Sequence, residues 1–187
     1  MGFGENDLWQ KACQGDETAF VEIYNRCYPA IFNYVFFRVG DRDQAEDLAA
    51  EVFIRMVEKI KTFKPADRPI LAWLYTIAYH LIIDQHRKES HTSQVGLEES
   101  ELVDYSYLPE GQVEERLSQN QLIRALRFLN ETQRQVIILK FVERRSNSEI
   151  GSLLGKDEGA IKSIQHRAIL ALRRSLEAQG QTYEPGP

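Results

Sequence analysis

Residues 43–60 constrain the fold most. Ala45, Leu48, Ala49, Val52, Phe53, Met56, Val57 and Ile60 recur at i, i+3, i+4, i+7 and i+8 over four turns. That spacing is the apolar stripe of an amphipathic helix, and no strand alternation competes with it. Asp41 or Asp43 supplies an N-cap. Upstream, Ala19, Phe20, Ile23, Tyr24 and Cys27 form another stripe, and Pro29 suits the first position of a third helix ending at Gly40. Residues 69–88 form a fourth, nearly continuously apolar from Ile70 to Ile83 and closing in Asp84-Gln85-His86-Arg87-Lys88. The run is too short for a membrane span. Four helices in about ninety residues predict a small all-α bundle.

Beyond residue 88 the pattern stops. Residues 89–113 carry Ser, Gly, Pro and acids with scattered apolar points, which reads as a flexible linker. Helical patterning resumes near Val113 and runs to about Leu176, and residues 177–187 read as a disordered tail. Charge follows the same division. The net is −2 over residues 1–88, −7 over 89–120, +6 over 121–176 and −2 over the rest, which sums to the chain's −5. An acidic connector between a mixed half and a basic half predicts two small helical domains, 1–88 and 114–176.

The second half is punctuated sharply. Asn130-x-x-Gln133 and Ser146-x-x-Glu149 fit the capping box, in which cap and third helical residue satisfy each other's backbone donors. Gly155 follows Leu153-Leu154 as a left-handed C-cap residue, and Asp157 caps the next helix. A helix of about eight residues, a three-residue turn with Gly and a longer helix make a helix-turn-helix. On the longer helix Ile161, Ile164, Ala168 and Leu172 form one stripe, leaving Glu158, Lys162, Ser163, His166 and Arg167 outside it. A recognition helix needs that pattern, with residues near its N-terminus at base edges and cations at phosphates. Arg144 and Arg145 suit flanking backbone contacts. A merely solvated charged face has the same pattern, and the caps, turn length and basic charge together favour DNA.

The first half leaves alternatives open. Trp73, Tyr75 and Tyr79 are core aromatics on one reading, with Arg87 and Lys88 as a helix end favoured by the macrodipole. On the other, bases of single-stranded nucleic acid stack on the rings while the cations follow phosphates. His80 and Asp84 have i, i+4 spacing but lack a third metal ligand. The acidic face of 43–60 is either solvated or a dock for a basic partner. Cys13 and Cys27 lack metal-site spacing and read as buried thiols, with a redox pair as the alternative. No nucleophile–base set or phosphate-cradling Gly loop is visible, so the reading is of a protein that is not an enzyme and needs no cofactor or metal. No apolar leader with a cleavage site opens the chain, which predicts a cytoplasmic protein.

Three stretches in order, "DQAEDLAAEVFIRMVEKIKTFKP", "AWLYTIAYHLIIDQHRK" and "LNETQRQVIILKFVERRSNSEIGSLLGKDEGAIKSIQHRAILALRRSL", resemble the bacterial RNA polymerase sigma factors of the extracytoplasmic-function (ECF) group. The likeness covers roughly residues 8–176. It implies an all-α, two-domain subunit that binds core RNA polymerase and promoter DNA, commonly held by an anti-sigma factor. It implies polymerase docking through Glu46, Asp47, Glu51 and Phe53. It implies −10 element reading through Phe63, Lys64, Arg68, Trp73, Tyr75, His80, Arg87 and Lys88, and −35 reading by the helix after Asp157. Four positions depart from the family pattern. His80 stands where Asn is usual, Ala50 for Gln, Asn147 for an aromatic, and Ile164-Gln165 for Arg-Leu. The first bears on −10 base preference and the last on how the recognition helix is rotated. Two readings compete with this one: a stand-alone helix-turn-helix regulator binding duplex as a dimer, and an interaction protein docking through its acidic linker.

Overall fold

The computed structural model describes residues 5–62, 69–92 and 121–178. The described residues are helical and contain no strand. The first module has four helices: α1 Glu5–Cys13, α2 Glu17–Val39, α3 Arg42–Lys59 and α4 Ile70–Thr92. Their ends follow local chemistry. Asp16 accepts from the Thr18 and Ala19 N–H groups at 2.9 and 3.3 Å, satisfying donors that no helical carbonyl reaches. Asp41, not Asp43, caps α3, accepting from the Gln44 N–H at 2.7 Å. Gly40 ends α2 at φ 81°, and its N–H bonds the Phe36 carbonyl at 2.8 Å.

Two features depart from the sequence expectation. Pro29 does not open a helix; it lies within the continuous 23-residue α2. The missing N–H and the ring cost a helix interior about 3 kcal/mol. Pro29 sits on the exposed side, and the buried stripe Ala19, Ile23, Ala30, Ile31, Tyr34, Val35 continues across it. Each fully buried Ile, Val or Leu side chain contributes roughly 1.5–3 kcal/mol, so packing outweighs the break. Helix α4 also continues to Thr92, one turn past Lys88. The helix α1 adds Leu8, Trp9 and Ala12 to the core and is too short for periodicity to mark it.

The apolar run of α4 is explained by its neighbours. Ile70, Leu74, Ala78 and Ile82 are buried in the bundle beside Ala45, Ala49, Val52 and Met56 of α3. A second side of α4 turns Tyr75 inward as well, to 2% exposure.

The second module begins with helical residues 121–126, followed by α5 Glu131–Ile137, a π-helical turn Ile138–Val142, α6 Asn147–Leu154 and α7 Glu158–Ala178. Both capping boxes are closed in each direction. Gln133 and Asn130 exchange bonds of 3.0 and 3.2 Å, and Glu149 and Ser146 bonds of 3.2 and 2.8 Å. Gly155 adopts φ 63° after α6, and Asp157 accepts from the Ala160 N–H at 2.8 Å. The turn passes so close to α6 that a Cβ on Gly151 would lie 2.5 Å from the Lys156 carbonyl oxygen. Leu126, Leu129, Val136–Leu139, Ile150, Ile161 and Ala168 form the core.

The modules pack directly on each other. Asn33 of α2 donates to Glu143 at 2.9 Å, and Gln135 donates to the Tyr34 hydroxyl at 3.3 Å. Arg38 of α2, its side chain 1% exposed, donates to Glu131. The 89–113 linker beyond Thr92 and the 179–187 part of the tail lie outside the described residues.

Candidate nucleic-acid interface

On α7 the apolar stripe is the buried side: Ile161 and Ala168 are fully enclosed and Ile164 is 8% exposed. Glu158, Lys162, Ser163, His166 and Arg167 are all exposed, on the opposite face. Burial of Ile164 sets the rotation of the helix and leaves Gln165 half-buried beside that face. Lys162 pairs with Glu158 at 2.8 Å, and the Arg167 Nε donates to the Ser163 carbonyl at 3.3 Å. Both cations therefore lie along their own helix, and their ends remain in solvent, where phosphate could exchange for the intrahelical partner.

Arg144 is exposed in the left-handed region, at φ 54°. It occupies the position where a helix end usually takes Gly, and the Arg145 N–H reaches back to the Leu139 carbonyl at 3.0 Å. Arg145 is half-buried and pairs with Glu149 at 3.6 Å. The bonds from Ser146, side chain first and backbone second, hold the Glu149 carboxyl below its ordinary 4.5. The Asn147 Oδ1 is buried without a partner at the start of α6.

The residues implied for the −10 element separate into three groups. His80, Arg87 and Lys88 are exposed on the second half of α4, with His80 against the Tyr79 ring at 5.5 Å and Arg87 near Asp84 at 3.9 Å. Trp73 is half-buried, edge-on to Trp9 at 5.5 Å and 82°. Tyr75 is interior, 4.8 Å from the Tyr34 ring. Its hydroxyl is buried without a partner, and burial first, then the negative charge of Glu143, pushes it well above the ordinary 10. Phe63, Lys64 and Arg68 lie outside the described residues.

On α3, Glu46 and Asp47 are exposed, Glu51 is half-buried and Phe53 is 6% exposed. Glu46 and Glu51 pair within the helix with Arg42 and Arg55 at 2.9 and 2.7 Å. Phe53 is a packing residue: its ring meets Tyr24 at 4.8 Å and Tyr28 at 6.1 Å. The fold also brings together what sequence spacing could not. A groove of about 910 Å³ between α3 and α4 is lined by Asp47, Glu51 and Arg55 on one wall and by Asp84, Arg87 and Lys88 on the other. Sequence reasoning misses an exposed apolar set on α2 and α3, near Phe53: Val21, Tyr24, Ile54 and Val57, exposed by 58, 41, 52 and 53%. Val57 belongs to the apolar stripe of α3 by spacing, but it falls at the edge and turns outward. Ile54, one position off that stripe, is the available signal.

Among the described residues no three His, Cys, Asp or Glu side chains are grouped to hold a metal ion, and no helix is long and apolar enough to cross a membrane.

Residues 23–92 match the family model of Sigma-70 region 2, and residues 125–174 that of Sigma-70, region 4. The ECF RNA polymerase sigma factor BldN of Streptomyces coelicolor is 35% identical over 91% of this chain, which spans 65% of that relative's length. SigX and SigW of Bacillus subtilis, both ECF RNA polymerase sigma factors, are 30% and 32% identical over 86% and 87% of the chain and 85% and 91% of their own lengths. CnrH, solved in complex with the cytosolic domain of CnrY, shares the fold at a TM-score of 0.64 and 22% identity, over 93% of this chain and 97% of that one. The sigma factor RpoE, solved with the anti-sigma factor NepR from Bartonella quintana, superposes at 0.61 with 25% identity, over 84% and 96%. With both regions in order on one all-helical chain, and relatives this similar over most of their length, the protein belongs to the ECF group of RNA polymerase sigma factors.

Proposed function

We propose that this protein binds core RNA polymerase through the first module and selects promoters with both, without catalysis of its own and acting in the cytoplasm. The observation that carries the reading is the sorting of α7, where the apolar stripe is buried and Lys162, Ser163, His166 and Arg167 face solvent together. This face enters the major groove of the −35 element, while Arg144 and Arg145 hold flanking phosphates. On the first module, His80, Arg87 and Lys88 meet the melted −10 strand, together with Trp73 of the same helix and with Phe63, Lys64 and Arg68, which precede it in the chain. Tyr75 supports that surface from within. Core polymerase docks on Glu46, Asp47 and Glu51, beside the exposed Val21, Tyr24, Ile54 and Val57, with Phe53 packed against the Tyr24 ring. The first domain runs to Thr92, where α4 ends, and the second from about 114 to Ala178, where α7 ends, with the acidic segment between them. An anti-sigma factor, as in the RpoE–NepR complex, is the expected inhibitor.

The test is co-elution of the purified protein with bacterial core polymerase on a sizing column, followed by transcription from genomic fragments. A stable complex with new, discrete start sites is expected. Failure to bind core, together with tight duplex binding by the protein alone, would replace this reading with a stand-alone regulator.

A further inference from the structure

Among the described residues one charged side chain is buried, that of Arg38, and it is found where the two modules meet. It lies in α2 of the first module, donates to the Tyr34 hydroxyl at 2.9 Å, and sits over the Tyr34 and Tyr79 rings at 4.8 and 5.7 Å. Its counter-ion comes from the other module, 93 residues away in sequence: Glu131, in the first turn of α5. The same junction holds the Asn33–Glu143 and Gln135–Tyr34 bonds. It also buries Tyr75, on which Glu143 and Arg145 of the second module act.

We propose that Arg38–Glu131 is a latch that holds the free protein in a closed, self-blocked form. Building on the sigma reading above, the closed form cannot serve a promoter. Elements named −35 and −10 lie about 25 base pairs apart, or about 85 Å at 3.4 Å per pair. A compact chain of this length has a radius of gyration of about 16 Å and spans about 40 Å. The modules must therefore separate before both can engage DNA. The 28 residues 93–120 can reach at most about 95 Å, which is enough.

The chemistry of the latch suits release. Only Arg38 is enclosed, while Glu131 keeps much of its contact with solvent, so the pair is partly screened, the guanidinium regains its hydration on opening, and the net contribution to closure is small. Removing one partner is different, because the other is left buried and uncompensated. Glu131→Arg therefore places two cations against each other in the closed form and shifts the balance toward the open one by on the order of a hundredfold or more. The exchanged pair, Arg38→Glu with Glu131→Arg, restores the attraction in reverse.

The experiment is small-angle X-ray scattering on the full chain, with circular dichroism to confirm helicity, beside the rate of association with core polymerase. Wild type should be compact, Glu131→Arg expanded and several-fold faster to associate, and the exchanged pair compact and slow again. Equal dimensions for wild type and Glu131→Arg would overturn the latch. Expansion without faster association would overturn self-blocking. If wild type and Glu131→Arg both failed to bind core, the sigma reading and the inhibitory role would fall together, while scattering would still decide whether the latch exists.

Discussion

The rings of Tyr34 and Tyr75 meet in the interior with centroids 4.8 Å apart and planes tilted by 57°, yet removing their hydroxyls should have opposite effects. The Tyr75 hydroxyl is buried and has no hydrogen-bond partner among the described residues. An unsatisfied buried polar group costs about 1–3 kcal/mol, and Phe fills the same volume without leaving a cavity. Tyr75→Phe is thus expected to stabilise by about 1 kcal/mol. The Tyr34 hydroxyl accepts from Arg38 at 2.9 Å and from Gln135 at 3.3 Å. Tyr34→Phe strands a buried guanidinium donor, and a bond to a charged group contributes about 1.5–3 kcal/mol. The two variants should differ by roughly 3 kcal/mol in urea denaturation, as a displaced midpoint with an unchanged slope. In a chain of this size each kcal/mol moves the melting temperature by about 2–4 °C. Destabilisation by Tyr75→Phe equal to that of Tyr34→Phe would refute the orphaned hydroxyl and the packing argument built on it.

On α7, Lys162→Ala and Arg167→Ala should each weaken −35 duplex binding and reduce the slope of log affinity against log salt by about 0.9 for each phosphate no longer neutralised. An unchanged slope in both would remove them from the interface. For His80→Asn we expect a changed −10 base preference in transcription from a randomised −10 library, and an identical preference would make His80 structural. Glu149 is held below 4.5 in the folded protein, so its contribution to stability is complete above that value and disappears as pH falls through the lowered one. Thermal melts scanned downward from about pH 5 should show that loss in wild type and a smaller one in Glu149→Gln.

Much of this molecule is local. The stripe from Ala45 to Met56, the stripe from Ile161 to Ala168 and the two capping boxes depend on residues three or four apart, so they are readable from the chain and recur unchanged in the structure. The candidate face of α7 is equally legible, because burying one stripe leaves its complement in solvent. The groove between α3 and α4 is not, since its walls meet only through packing. Local rules also misplace Pro29, whose penalty is known from sequence while the buried stripe that outweighs it is a property of the assembled bundle. Tyr75 shows the same limit: an all-apolar helix has no polar face to say which ring turns inward, and only packing against Tyr34 decides it. What the amino-acid order determined by itself is the buried stripes of α3 and α7, the caps at Asn130, Ser146, Gly155 and Asp157, and the helix-turn-helix, because those are governed by hydrogen bonds and spacing within one or two turns. The pairing of Arg38 with a carboxylate 93 residues away was decided by tertiary structure alone, because a buried charge takes the counter-ion that folding brings within reach, wherever it lies in the chain.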